Sequence, residues 1–365
     1  MEDFIYWIWL QQALGFGSNK IVKIFSKIKS LEDFYHSGFS YWSSLEIFNK
    51  REMFGLSKSL DDAKKIYEKC CKLGYQVIPY LSDKFSDNLR QIPNPPCVLY
   101  VSGQASVMKN KCISIVGSRN ATIYGIQMAE EISRELSEFG ITIVSGCALG
   151  VDSASHRGAI SSKGTTIGVV ACGLDYPYLV KNASLREKIS NFGSLISEYP
   201  PGYPVLKYNF PTRNRIISGL SSATIVIEAK KRSGAIITAN LAAEQGRDVF
   251  VVPVKFDNPL SEGINSLIED GVQVITCAND ILKESFPDEF KKIRSNNVSK
   301  PKIDIPEKFK PILNLIGNKK IQINDLKKLT NMSISNLLVC LTEMELLGLV
   351  VQFPGKFYKL SIEIK

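Results

Sequence analysis

From residue 112 onward the chain repeats one pattern. Near-continuous apolar runs recur at Cys112–Val116, Ile141–Ser145, Thr166–Ala171, Ser194–Ser197, Ala223–Ile227 and Asp248–Val252. Each ends in a loop of small or polar residues, and the helical stretches fall between them. A strand that is apolar at every position must be covered on both faces, and strands alternating with helices are joined by parallel crossovers. The pattern predicts an α/β fold: a Rossmann-like, doubly wound, mostly parallel sheet. Its helices are expected over Gln127–Phe139, through His156 and Ala159, over Ala183–Asn191 and Asn214–Leu220, from Ala235, and from Gly263-Ile264-Asn265. Tyr75–Leu81 and Cys97–Val101 read as two further strands, with Pro93, Pro95 and Pro96 marking an extended lead-in.

The flanks differ from this core. Residues 1–75 read as a helical domain, SAM-like or helix-hairpin-helix-like. Leu14-Gly15-Phe16-Gly17-Ser18-Asn19-Lys20 is its glycine turn, suited to a plain helical bundle or to holding a phosphate on backbone amides. Residues 76–285 form the Rossmann-like domain. Residues 286–306 are polar, aperiodic and proline-bearing, and read as a linker. Within 307–365, three short amphipathic helices (Phe309–Ile316, Ile323–Leu329, Ser335–Leu346) precede a hairpin over Val350–Leu360, the pattern of a winged helix. The apolar N-terminus carries acids rather than a basic n-region, so no signal peptide is expected, and no uncharged 18-residue apolar run suggests a membrane span. The eight cysteines are scattered without a Cys-x-x-Cys, which points to a reducing cytoplasm and against structural zinc or a disulfide framework.

The net charge of +9 favours an acidic partner, yet its placement is uneven. Basic residues outnumber acidic by 11 to 9 in residues 1–79, 23 to 21 in 80–299 and 11 to 6 in 300–365, so a polyanion site in the core domain must come from local clustering. Open parallel sheets bind ligands beyond the carboxyl ends of their strands, and the unusual loops lie there. Gly117-Ser118-Arg119 follows the first core strand; Ser145-Gly146 follows the second. Lys207, Phe210, Arg213, Asn214 and Arg215 cluster in the proline-broken stretch Ser197–Thr238, and Ser233-Gly234 opens a helix whose free amides make an anion seat. Arginines and helix amides suit phosphates; a phenylalanine beside them suits a stacked base, or else a core plug. Asp152 and Asp175 read as helix caps or loop acceptors, His156 as a packed imidazole, and Glu198 and Glu228 as partners for arginines. There is no Gly-x-x-x-x-Gly-Lys-Ser/Thr, no Gly-x-Gly-x-x-Gly, no nucleophile elbow and no metal-spaced cluster. The expectation is a binding site with no catalytic residue, no cofactor and no metal.

These loops together carry a specific resemblance. Gly117-Ser118-Arg119 with Thr122, Tyr124 and Gly125; Ser145-Gly146 with Gly150, Asp152 and His156; Gly173-Leu174-Asp175 with Asn182; Ser197–Gly202; Phe210-Pro211 with Arg213-Asn214-Arg215; Ser233-Gly234 with Thr238; and Gly263-Ile264-Asn265 resemble, in order, the DNA-processing protein DprA (Smf) family. The resemblance implies a cytoplasmic, non-enzymatic protein that binds single-stranded DNA, protects incoming strands during natural transformation and loads the RecA recombinase onto them. It also implies a homodimer formed through the Rossmann-like domain, and a DNA pocket that includes Arg119, Lys207, Phe210, Arg213 and Asn214. Leu179 and Val254 depart from the family's usual proline and glycine. A rival reading, a Rossmann-like nucleotide phosphoribohydrolase, needs glycines that Ser218–Thr224 lacks. A third, a duplex-reading transcription regulator, needs polar side chains on a C-terminal helix that is apolar and acidic.

Overall fold

The computed structural model describes residues 2–178, 180–255, 257–288, 290, 306–316, 320–330, 332–347 and 349–360. The chain divides into two compact units, Met1–Lys292 and Ile293–Lys365. The first is built on a nine-stranded sheet: β1 (Gln76–Pro79), β2 (Val98–Gly103), β3 (Cys112–Gly117), β4 (Thr142–Ser145), β5 (Thr166–Val170), β6 (Ser194–Ser197), β7 (Ala223–Ile227), β8 (Asp248–Val251) and β9 (Gln273–Val274). Their order is β1-β2-β6-β5-β4-β3-β7-β8-β9. The strands from β6 to β9 pair in parallel, while β1 and β2 pair antiparallel with each other and β2 with β6.

The predicted doubly wound sheet is therefore present. Five strands, β3 to β7, are buried along nearly their whole length, as continuous apolar runs require. The chain winds one way from β3 to β6 and the other way from β7, so the order reverses between β3 and β7. That is the point where such sheets leave a crevice.

Two helices start earlier than the sequence suggests. Ile123–Glu138 begins four residues before Gln127, capped by the Thr122 hydroxyl, which accepts the amide of Gly125. The helix expected from Asn214 begins at Asn209. Pro211 sits in its first turn, where a missing N–H costs nothing, so a residue that reads as a helix breaker lies inside the helix.

The N-terminal helices, Glu2–Leu14, Ile21–Phe25, Leu31–Ser44, Lys50–Leu56 and Asp61–Lys72, share one apolar core with the sheet. Trp9 packs edge-on to Tyr35, with ring centres 5.0 Å apart. Gln11 is buried and reaches across, donating to the carbonyls of Val98 (3.0 Å) and Glu198 (3.1 Å) and accepting from the Tyr100 hydroxyl. In the glycine turn the Gly17 amide donates to the Glu198 carboxylate at 3.1 Å, so that amide is committed within the protein.

The second unit holds helices Lys310–Ile316, Ile323–Thr330 and Ile334–Leu346 with a three-stranded sheet of β10 (Ile321–Gln322), β11 (Val350–Phe353) and β12 (Phe357–Leu360), in the order β10-β12-β11. This is a winged helix around its own core of Ile312, Leu326, Leu337, Leu341, Met344 and Tyr358. The third helix exposes Ile334 and Val339 and carries no Lys or Arg. Most of the expected linker 286–306, and Leu179, lie outside the described residues.

Candidate nucleic-acid interface

A crevice of about 540 Å³ opens where the sheet order reverses. Its floor and walls come from the loops after β3, β4, β7 and β8 and from the first turns of two helices, Asn209–Leu220 and Gly234–Glu244.

The loop after β3 is fixed from behind. Gly117 lies so close to β7 that a Cβ would stand 2.0 Å from the carbonyl oxygen of Ile227, so no other residue fits there. The Ser118 amide donates to the Glu228 carbonyl at 2.8 Å, and the Ser118 hydroxyl accepts the amide of Asn120. Buried Glu228 then holds the far end, its carboxylate accepting the Thr122 amide at 2.7 Å and the Asn258 side chain at 3.3 Å. Glu228 has φ of 53°, a left-handed conformation unusual for a side chain of this size. It binds hydroxyl and amide donors, not the arginine expected from sequence. Gly150, at φ of 75°, brings the loop after β4 against the same turn; a Cβ there would meet the Ser118 carbonyl at 2.2 Å.

On this scaffold Arg119 is exposed, and its guanidinium carbon stands 5.3 Å from the centre of the half-buried Phe210 ring. Cation and ring thus share one wall of the crevice, from elements more than ninety residues apart. Tyr178 abuts the same ring, with centres 5.8 Å apart. Lys230 and Arg232, from the loop after β7, also line the crevice, and Ser233 is the N-cap of the helix Gly234–Glu244 with no side-chain hydrogen bond to its first amides. No side-chain cap covers those amides and Gly234 adds no side chain, which is the geometry the anion-seat expectation requires. The Ser233 hydroxyl is buried and has no partner among the described residues.

Arg213 lines the crevice, but its guanidinium is engaged within the protein. It is buried and donates to the carbonyls of Gly146 (2.8 Å) and Val169 and to the Asn214 side chain (3.2 Å). Burial lowers its pKa, opposed by the neighbouring Asp152 carboxylate; burial raises the Asp152 carboxyl in turn, opposed by Arg213. Gly146 makes the approach possible, since a Cβ would stand 2.8 Å from Asp152 and 2.9 Å from Arg213. Asn214 ties the two helices together by donating to the Gly234 carbonyl at 3.2 Å.

Four predicted site residues do not line the crevice: Ser145, Gly146, Lys207 and Arg215, of which Gly146 only makes room for Arg213. Arg215 lies on the opposite side of its helix, buried, with one guanidinium nitrogen 2.6 and 2.7 Å from the two oxygens of Glu198. This corrects the expectation that it grips a phosphate. Its Nε and Nη1 have no partner among the described residues. The Ser145 hydroxyl is buried and donates to the Ile115 carbonyl at 2.7 Å, so it braces β3 against β4. Lys207 is exposed ahead of the helix and does not line the crevice.

Other readings hold. His156 is fully buried, with Nδ1 2.7 Å from the Thr166 hydroxyl and Nε2 3.7 Å from the Cys147 sulfur, and burial pulls its pKa down to about 3. Asp152 accepts the Ala148 amide at 3.2 Å, and Asp175 the Gly202 amide at 2.6 Å. Ser218-Gly219-Leu220 are buried at the end of a helix just before β7, away from the carboxyl ends that form the crevice. Asn120, in the loop after β3, and Asn258 and Pro259, in the loop after β8, also line the crevice, and sequence reading passed over them because isolated residues of these types in a loop form no motif. Among the described residues no helix is long and apolar enough to cross a membrane.

Comparison with known proteins matches two parts of the chain. Residues 76–286 match the family described as DNA recombination-mediator protein A, and residues 301–356 the DprA winged helix domain. The DNA processing protein DprA of Bacillus subtilis is 42% identical over 212 residues, 58% of this chain and 71% of that protein. Two solved structures are similar. The X-ray structure of DprA from Streptococcus pneumoniae has a TM-score of 0.66 at 32% identity, covering 76% of this chain and 96% of that one. The structure of DprA from Helicobacter pylori, described by its single-stranded-DNA binding mode, has a TM-score of 0.53 at 28% identity, covering 61% and 96%.

Proposed function

This chain belongs to the DprA (Smf) family of DNA-processing proteins, and on that premise we propose that it binds single-stranded DNA in the crevice between β3 and β7. The observation that carries the proposal is the pairing of Arg119 with Phe210, 5.3 Å apart, in a crevice also lined by Lys230, Arg232 and a helix start that no side chain caps by hydrogen bond. The guanidinium and helix amides take phosphates, and the ring gives a base a face to stack on. Every base has such a face, so little sequence preference follows.

The site holds binders and no group poised for chemistry: His156 is buried and neutral, and Asp152 and Glu228 are committed to loop amides. These commitments support the proposal of a binding protein that breaks no bond in its ligand. Protection of incoming strands in natural transformation, loading of RecA, homodimerisation through the Rossmann-like domain and a cytoplasmic location complete the proposal and rest on the family. So do domains at 1–75, 76–285 and 307–365, joined by the linker 286–306.

Titration of fluorescent oligo-dT at several salt concentrations, with duplex competitor, tests the core of it. Tight binding to the single strand, lost in Arg119→Ala, is the expected result. Preference for duplex, or an unaltered Arg119→Ala, overturns it. Release of free base from nucleoside monophosphates would instead favour a phosphoribohydrolase.

A further inference from the structure

A second cavity, about 650 Å³, opens on the other side of the turn that carries Phe210. It lies between the N-terminal glycine turn and the loop Tyr199–Tyr208, and its volume is in the range that holds nucleotide-sized ligands. We propose that it is a second nucleoside site, taking bases of the same strand whose neighbours occupy the crevice; this rests on the single-stranded-DNA reading above.

Four observations converge on that chemistry. The walls are aromatic: Phe16 meets Tyr203 at 5.0 Å, and Tyr203 stacks at 5.1 Å and 26° on Tyr199, which is buried beneath it. Tyr208, beside Tyr203 in the lining, leaves 66% of its surface exposed, much for so large a ring. Two cations, Arg51 and Lys58, line the cavity without a carboxylate within 4 Å among the described residues; Lys58 lies over the Phe54 ring, and Glu52, which also lines the cavity, is paired with Lys20. Asn209 also lines it and is 1% exposed; its Nδ2 is committed to the carbonyls of Ala171 and Pro204, but its Oδ1 is buried without a partner. Rings for bases, cations for phosphates and a buried amide oxygen left unsatisfied at the edge are the elements of a nucleoside site.

Continuity supplies the occupant. Tyr208, Asn209 and Thr212 face this cavity, whereas Phe210, Arg213 and Asn214 face the crevice. A strand stacked on Phe210 has only to cross one turn of that helix, past exposed Lys207, to meet Tyr208. The N-terminal helices thus contribute directly to the DNA path by supplying Phe16, Arg51 and Lys58.

The test uses the full chain, with Arg51→Glu and Tyr208→Ala compared against Arg119→Ala, on oligo-dT of about 6 and about 20 nucleotides, lengths that bracket the usual span of a single-strand site. The expected result is that Arg51→Glu and Tyr208→Ala each weaken binding of the longer oligonucleotide by about 5- to 150-fold and leave the shorter unchanged. A long oligonucleotide carrying 5-bromodeoxyuridine should also photo-crosslink to the peptide containing Tyr203 and Tyr208. If Arg119→Ala weakens both lengths while the two cavity variants weaken neither, the second site is wrong and the crevice stands. Equal weakening of both lengths by the cavity variants also overturns it, since the cavity would then act only through the helix. If Arg119→Ala changes nothing, the crevice reading itself has failed.

Discussion

At the scale of single residues, Phe210 and Arg215 mark what a sequence does and does not disclose. Replacing Phe210 with alanine removes the stacking face without touching the cations, and one aromatic–base stack is worth roughly 1–3 kcal/mol. Binding of oligo-dT to Phe210→Ala should therefore fall about 5- to 150-fold in a fluorescence titration, with Phe210→Trp retaining most of it. Arg213 and Arg215 look equivalent in sequence because both follow Phe210-Pro211. In a helix, residues two apart point to nearly opposite sides, so only one could face the crevice. The helix start at Asn209 decides which, and Pro211 concealed that start. Arg215 instead has Glu198 as its counter-charge, both about 2–3% exposed. Glu198→Ala strands a buried cation and should cost about 3–5 kcal/mol in urea unfolding, while a surface carboxylate such as Asp62 should cost almost nothing when removed.

Among the elements, the strands were the legible part and the loop supports were not. β3 to β7 stood out because both faces are buried, leaving unbroken apolar runs. The role of Glu228 had no sequence signal: it depends on a left-handed backbone and on Thr122, 106 residues away, and only the tertiary fold brings them together. The helix Val151–Ser161 was readable as a helix, and its His156 as a packed imidazole. That histidine has a measurable consequence. Its pKa in the fold is about 3, against about 6.5 when unfolded, so between those values the unfolded chain binds the extra proton. The contribution is fully present above about pH 6.5 and is lost as pH falls towards 3, at up to about 1.4 kcal/mol per pH unit. Denaturant unfolding at pH 7 and pH 5 should show this loss in the parent chain, and His156→Gln should show a smaller one.

For the whole molecule, the sequence indicated three regions, and the contacts draw the compact units differently: the N-terminal helices share a core with the sheet, and the winged helix has its own. Periodicity reports what each helix buries but not against what, and so residues 1–75 read as separate. The charge surplus near the C-terminus is a poor guide to the crevice, where a handful of cations matter by position. A chain ending at Lys292 keeps every crevice residue, and oligo-dT affinity should stay within about threefold of the full chain. The slope of log affinity against log salt should change little too, because each phosphate neutralised on a single strand adds about −0.7 to it. A large drop in both would place phosphate contacts in the winged helix.

The Gly117–Thr122 turn is held by contacts within the protein, from Glu228 and against Gly150. An arriving strand then has no loop to organise before contact. Association should be governed by encounter and by attraction between the cationic rim and the polyanion, while substitutions in the pocket reveal themselves mainly in how quickly the strand departs.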